Sequence, residues 1–241
     1  MKTPSAMKIL TNEKTIRRNA KIGQFTSLAS LLILGGGMYV SFAYPTQLSI
    51  SFGALLVGFI LSQVGIYFGN RWGRRPRIDE KISAALKGLG KEYTLYHFLT
   101  PVNHLLVGPA GIWIIEPYYQ RGTISFENGK WKQKGGGFFL GYLKIFAQEG
   151  LGNPGFEVKA DLDSLTEAFK KALTDGGEVP PVNAVLVFTD PRAELQTDAA
   201  PWPTLKIDQL KTHIRNAAKQ NPLPATEVKR AASILPEEGV E

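Results

Sequence analysis

Three histidines, His97, His104 and His213, are the side chains here with the most direct route to acid–base or metal chemistry. His97 and His213 are isolated, with no ligand spacing between them, so a histidine metal site is not expected. His104 falls in an apolar run of strand type, where period-two alternation turns it to the opposite face from Asn103, and it reads as a core or hydrogen-bonding residue. The chain has no cysteine, which removes thiol nucleophiles, disulfides and thiolate zinc sites together. The triplet Gly135-Gly136-Gly137 lacks a following Lys-Ser or Lys-Thr and is not a phosphate loop. What remains is carboxylate chemistry, and its meaning depends on the elements that carry the acids.

The first of those elements is a membrane segment. From Ile22 through Asn70 run 49 residues without an Asp, Glu, Lys, Arg or His. One spanning helix needs about 20 apolar residues, so the stretch holds two spans. Tyr44-Pro45-Thr46-Gln47 marks the turn, placing the spans at 24–44 and 48–69. A cleaved signal peptide has a shorter apolar region and is not followed by a second span. Small residues at Ala54, Gly58, Ser62, Gly65 and Gly69 line one face of the second helix, and the first offers Gly35-Gly36-Gly37, so the two helices are expected to pack on each other, homodimerisation being the alternative. With no ionisable group inside either span, the hairpin reads as an anchor.

Charge gives its orientation. Residues 1–21 carry six basic side chains against Glu13, and residues 71–77 carry Arg71, Arg74, Arg75 and Arg77. The rest of the chain has 18 basic and 20 acidic side chains, a net charge of −2. The overall charge of +7 therefore comes from the membrane flanks, the positive-inside pattern of a two-pass plasma-membrane protein with both termini in the cytoplasm. The same arginines favour anionic lipid head groups. Residues 1–23 are read as a basic tail, 24–70 as the hairpin, 71–77 as a basic linker and 78–241 as a cytoplasmic domain.

That domain reads as mixed α/β. A helix with Ile78, Ile82, Ala85, Leu86 and Leu89 on one side opens it. Strands follow near Tyr93–Leu99, Val102–Val107, Ile112–Ile115 and Thr123–Phe126, with turns at Gly108-Pro109-Ala110-Gly111 and Asn128-Gly129, the second leading into Lys130-Trp131-Lys132-Gln133. Asn153-Pro154 opens a helix reaching Leu173, and Val182–Phe188 is a continuous apolar run suited to a buried strand. Helices near Ile207–Ala218 and Ala225–Ile234 complete an αβββαβ plan. The stretch Phe138–Phe146 is too short to span and is read as interfacial, as a cover for a site or as core.

The segment Val102-Asn103-His104-Leu105-Leu106-Val107-Gly108-Pro109-Ala110-Gly111-Ile112-Trp113-Ile114-Ile115-Glu116 resembles the signature hairpin of the nuclease-related domain, NERD, a branch of the PD-(D/E)XK nuclease superfamily. Gly122-Thr123-Ile124 with Trp131, Asn153-Pro154 and Val185-Leu186-Val187-Phe188-Thr189 follow in that family's order, so the resemblance covers roughly residues 78–215. It implies a PD-(D/E)XK-like fold with an acid on the first helix, an Asp entering the hairpin and a Glu on its second strand gathering Mg²⁺ or Mn²⁺, and a Lys two residues past the Glu positioning water. Hard cations take carboxylate oxygens, and residues i and i+2 share a strand face.

This chain departs from that pattern. Asn103 stands at the Asp position, and Glu116-Pro117-Tyr118 replaces Glu-x-Lys. Tyr118, with an ordinary pKa near 10, supplies no cation, and Pro117 removes a ladder donor, which places the strand at an edge or a bulge. The helix acid is Asp79 by helical geometry, or Glu80 if the match shifts by one residue. Lys81, Lys132 and Lys159 are candidates for a displaced lysine, and Glu157 is read as an exposed helix acid in preference to a replacement carboxylate. The expectation is a disabled nuclease site with no cofactor, serving binding or scaffolding; the alternatives are an active metal-dependent DNA endonuclease using Asp79 and Glu116, and a structural membrane protein without a ligand. Nucleic acid as a partner depends on whether Arg121, Lys130, Lys132 and Lys134 line a groove together, although alternating lysines also protect exposed strand edges.

Overall fold

The computed structural model describes residues 6–135, 150–173 and 180–240, which excludes the Phe138–Phe146 stretch. The described residues form two units, one built from Lys14–Arg77 and the other from the remainder.

The first unit is the hairpin. Helices α1 (Glu13–Ala43) and α2 (Leu48–Phe68) are both long and apolar enough to cross a membrane, and they are joined by the expected turn. Their outer faces expose Phe25, Leu31, Leu32, Phe42 and Phe52. The buried positions repeat every seven residues and, after Ile16 at the start of α1, are small: Gly23, Ser30 and Gly37 on α1, and Ser51, Gly58 and Gly65 on α2. A seven-residue repeat keeps one seam facing its partner, and small side chains let the backbones approach. A Cβ on Gly37 would lie 2.6 Å from that of Ala54, and one on Gly58 2.6 Å from the Leu34 side chain, so the small stripe is used for packing within the hairpin.

Two boundaries differ from the sequence reading. Within the described part of the basic segment before residue 24, Lys8–Thr11 is a strand, β1, and α1 begins at Glu13, carrying Lys14, Arg17, Arg18 and Lys21 on helix. An acid in the first turn suits the positive helix end, and Arg, Lys and Ala are good helix formers. The linker is likewise partly helical, because α2 continues as a π turn over Gly69–Gly73, closed by the Arg74 amide donating to the Gly69 carbonyl at 2.9 Å.

The second unit is a mixed α/β structure. Helix α3 (Ile78–Ala85) leads into β2 (Thr94–His97), β3 (His104–Gly108) and β4 (Gly111–Tyr118). Strands β5 (Gly122–Glu127) and β6 (Lys130–Lys134) precede α4 (Pro154–Ala172) and β7 (Val182–Phe188). Short strands β8 (Ala193–Gln196) and β9 (Thr204–Lys206) precede α5 (Leu210–Gln220) and α6 (Ala225–Ser233). The main sheet runs β1-β2-β3-β4-β7-β9, with β2, β3 and β4 an antiparallel meander and parallel pairs at β1–β2, β4–β7 and β7–β9. A second sheet runs β6-β5-β8. The β5–β6 turn places Asn128 at φ 51° and Gly129 at φ 74°, as a two-residue primed turn requires. Asn153 caps α4 by accepting from the Phe156 amide at 3.3 Å.

Alternation along the strands creates two cores. One face buries Tyr96, Leu105, Val107, Ile112, Ile114, Leu186 and Phe188 against Val158, Leu165 and Phe169 of α4. The other buries Leu95, Leu106, Trp113, Ile115, Val185 and Val187 against Ile82 of α3 and Leu210 and Ile214 of α5. Strand β4 is interior, which corrects the expectation from Pro117. The proline pairs with Val187 of β7, and it lies past the start of β3, so its missing donor faces no neighbouring ladder.

His213 of α5 packs edge-on to Trp113 at 5.1 Å, with its Nε2 buried and without a hydrogen bond. Burial lowers its pKa below the ordinary 6.5. The folded protein thus prefers the neutral ring, so this stabilisation is complete above pH 6.5 and is lost as pH falls through the depressed value. A His213→Leu substitution is expected to flatten the acid limb of stability against pH, measured by urea unfolding between pH 7.5 and 5; an unchanged limb would show that His213 is not its source.

Candidate functional site

Ile112, Ile114, Glu116 and Tyr118 share one face of β4; Ile112, Ile114 and Tyr118 belong to the core on that side, and Glu116 among them is half-buried. Asn103 immediately precedes β3. In the β3–β4 register Leu105 faces Ile114, and Asn103 and Glu116 each lie two positions beyond this last pair, toward the same end of the hairpin. The hairpin thus brings together the Asn103, Glu116 and Tyr118 positions singled out in the sequence.

Tyr118 is buried and fixed on two sides. Its ring stacks on Phe188 of β7, its registered neighbour, with centroids 5.3 Å apart and planes inclined by 22°. Its hydroxyl donates to Glu157 Oε2 of α4 at 2.8 Å. Glu157 is solvent-exposed on its helix, as expected, and its carboxylate in addition accepts the hydrogen bond from Tyr118. Burial raises the Tyr118 pKa far above 10, and the hydrogen bond to Glu157 and the charges of Glu157, Glu116 and Asp161 push it the same way.

That shift has a testable sign. A phenol held protonated in the fold contributes stability that is complete below pH 10 and is lost as the pH rises beyond it, because the unfolded chain then ionises while the folded one does not. Replacing Tyr118 with Phe is expected to cost about 0.5–1.5 kcal/mol at neutral pH, a typical net hydrogen bond. It should also weaken the alkaline loss of stability between pH 9.5 and 11; an identical alkaline limb would show that Tyr118 is not the buried phenol responsible.

Asp79 is buried and Glu80 half-buried, in the order expected from helical geometry. Helix α3, however, covers the sheet face opposite Glu116 and Tyr118. Among the described residues no group of three or more histidine or acidic side chains has a metal-binding arrangement. The basic set is on neither face of the main sheet. Lys130, Lys132 and Lys134 project from edge strand β6 of the small sheet, alternating with Trp131 and Gln133, and Lys132 pairs with Glu127 at 2.9 Å. Of the other candidate lysines, Lys159 is exposed on α4 and Lys81 half-buried on α3.

The structure also assembles a cluster that sequence spacing did not suggest. His97 and His104, one on each of two neighbouring strands and directly in register, approach through their Nδ1 atoms at 2.8 Å. Ser83 of α3 lies 2.9 Å from His97 Nε2. Both rings are buried, on the face that packs against α3. His97 is therefore not isolated, and His104 does turn away from Asn103; only the antiparallel register, which equates positions seven apart, reveals the pair.

Comparison of the chain with family models, with curated proteins and with solved structures returns no match.

Proposed function

We propose that this chain is a two-pass membrane protein whose α/β unit is a NERD-like, PD-(D/E)XK-type fold used for binding or scaffolding at the cytoplasmic surface, with its hydrolytic site disabled. The observation that carries this reading is Tyr118. Where the family places a lysine beside its metal-bound water, this chain has a buried phenol that stacks on Phe188 and donates to Glu157. The element order α3-β2-β3-β4, then α4-β7 after the β5–β6 hairpin, and the placing of Asn103 and Glu116 toward one end of the β3–β4 hairpin support the resemblance.

The residues present do not fit a Mg²⁺ centre of that family. Magnesium demands near-octahedral oxygen ligation and gives up water reluctantly, so it depends on closely placed anionic ligands. The hairpin offers one carboxylate and one neutral amide, while Glu157 already accepts a hydrogen bond from the Tyr118 hydroxyl and Asp79 belongs to the helix on the other face. A phosphodiester would also meet the field of Glu116, Glu157 and Asp161 without the lysine that offsets it.

Orientation follows from charge. Lys14, Arg17, Arg18 and Lys21 lie at the start of α1, and exposed Arg71, Arg74 and Arg75 follow α2, so the open end of the antiparallel hairpin is cationic; Arg77, expected with them, is buried and does not join this surface. By the positive-inside pattern this end faces the cytoplasm, against anionic lipid head groups.

The deciding experiment is plasmid cleavage and Mn²⁺ binding by the full chain in detergent, beside a Glu116→Ala variant. Neither protein is expected to cleave, and the two should bind Mn²⁺ equally poorly. Metal-dependent cleavage that disappears with Glu116→Ala would overturn this reading in favour of a rearranged nuclease.

A further inference from the structure

Between α3 and the main sheet the core is aliphatic, formed by Ile82, Leu86, Leu95, Leu106 and Ile115. Polar groups enter it as the chain Ser83–His97–His104, one helical turn after buried Asp79. A buried polar network carries a desolvation cost that Leu or Val at the same positions would avoid. Its order is that of a nucleophile, a base and a group that orients the base. Ser83 Oγ is 2.9 Å from His97 Nε2, and the other nitrogen of that ring is 2.8 Å from His104 Nδ1. Both contacts lie within the hydrogen-bond reach that nucleophilic catalysis requires.

We infer that Ser83, His97 and His104 form a serine–histidine–histidine relay that makes Ser83 a nucleophile toward small acyl esters, an activity independent of the Glu116 site on the opposite face of the sheet.

Two proton arrangements satisfy the contacts. In one, His104 Nδ1–H donates to His97, and His97 Nε2–H donates to Ser83. In the other, His97 Nδ1–H donates to His104, leaving His97 Nε2 to accept the Ser83 hydroxyl. The second is the reactive arrangement. As Ser83 Oγ bonds to the ester carbonyl carbon, its proton passes to His97 Nε2, and the imidazolium is held by the lone pair of His104 Nδ1. Collapse of the tetrahedral intermediate breaks the bond to the alcohol, which leaves with the proton from His97. Water then attacks the acyl-serine; His97 takes its proton and returns it to Ser83 Oγ as the carboxylic acid departs. The only co-reactant is water.

Burial supports these roles. His97 is 0% and His104 1% exposed, which holds the base and its orienting ring in place, whereas Ser83 is only half-buried, so the nucleophile is the member of the relay nearest to solvent. The segment following His97 is held in an unusual conformation. Phe98 has φ 60°, a left-handed geometry that costs a bulky residue about 1–3 kcal/mol and that clusters at functional sites. Its amide donates to the Asn103 carbonyl at 2.8 Å, and its ring stands edge-on to His104 at 5.0 Å, which fixes the orienting ring.

The test is labelling of the full chain in nanodiscs with a fluorophosphonate probe, with 4-nitrophenyl acetate hydrolysis as a second readout. Modification is expected at Ser83 and is lost in Ser83→Ala. His104 acts as a positioning residue. His104→Asn, whose carbonyl can still accept from His97, should retain labelling within about tenfold, whereas His104→Leu should lose about 100-fold or more, as removal of acid–base support does elsewhere. Absence of labelling in the native chain, or equal labelling of Ser83→Ala, overturns the proposal. Equal rates for a folded His104→Leu overturn the relay; if that variant does not fold, the Ser83→Ala comparison decides.

Discussion

Replacing Phe188 with alanine is expected to destabilise the α/β unit by about 3–5 kcal/mol, the range for truncating a fully buried phenylalanine. Phe188 is 1% exposed at the end of β7 and contacts both the core and the candidate site. Part of the loss, about 0.5–1.5 kcal/mol, belongs to its stack with Tyr118, beyond simple area burial. Domains of this kind are stable by only about 5–15 kcal/mol, so the substitution removes a large share of the reserve. The check is urea unfolding in detergent followed by near-ultraviolet circular dichroism, with a double-mutant cycle against Tyr118→Phe. Tyr118 donates to Glu157 from a position set by the stack, so the two effects should couple by at least about 0.5 kcal/mol, as interacting neighbours do. A loss below 1 kcal/mol, or strict additivity, would show that β7 does not hold the phenol in place.

Much of this architecture was legible in the sequence because its signals are local. The uncharged stretch from Ile22 to Asn70 becomes α1 and α2, and Tyr44-Pro45-Thr46-Gln47 becomes their turn. Asn128-Gly129 supplies the positive φ angles of a hairpin, and Asn153 caps its helix. The strands that were missed carry no such signal: β1 is four residues inside a basic segment, and β8 and β9 have four and three residues in proline-flanked loops. Their existence depends on neighbours already in place, β2 for β1, β5 for β8 and β7 for β9.

The candidate site was legible only as far as one hairpin extends. Asn103, Glu116 and Tyr118 lie within it, and alternation predicts their shared face. Glu157 comes from a helix 39 residues after Tyr118, and nothing in its local sequence, with Asp161 and Asp163 nearby, separates a closing carboxylate from a solvated one. The histidine pair failed for a related reason. His97 and His104 meet through a register set by the Phe98–Asn103 loop, whose left-handed phenylalanine no propensity argument favours. Pro117 misled because the rule against prolines in interior strands applies to individual ladder positions, and β3 does not extend far enough to face it.

The hairpin yields the second large effect, and it separates an anchor that packs on itself from one that pairs with another copy. Replacing Gly65 with leucine is expected to destabilise the α1–α2 packing by about 1–3 kcal/mol or more, the cost of overfilling a close contact. A Cβ at Gly65 would fall 2.9 Å from the Ser27 nitrogen and 3.1 Å from its Cα, and backbone cannot rotate aside as a flexible side chain does. Gly36 and Gly53 provide matched controls on the same two helices, because a Cβ at either meets nothing within 4 Å. Leucine there should be neutral or slightly favourable, since glycine is a poor helix former. Unfolding by SDS titration in bicelles distinguishes the outcomes. Without a hydrophobic driving force between helices in lipid, close packing is the main source of their association, so the Gly65 variant should separate at lower SDS while the controls should not. If Gly36→Leu or Gly53→Leu proves the damaging change and Gly65→Leu is tolerated, the open glycines would be the working interface and the hairpin would be a pairing element between copies.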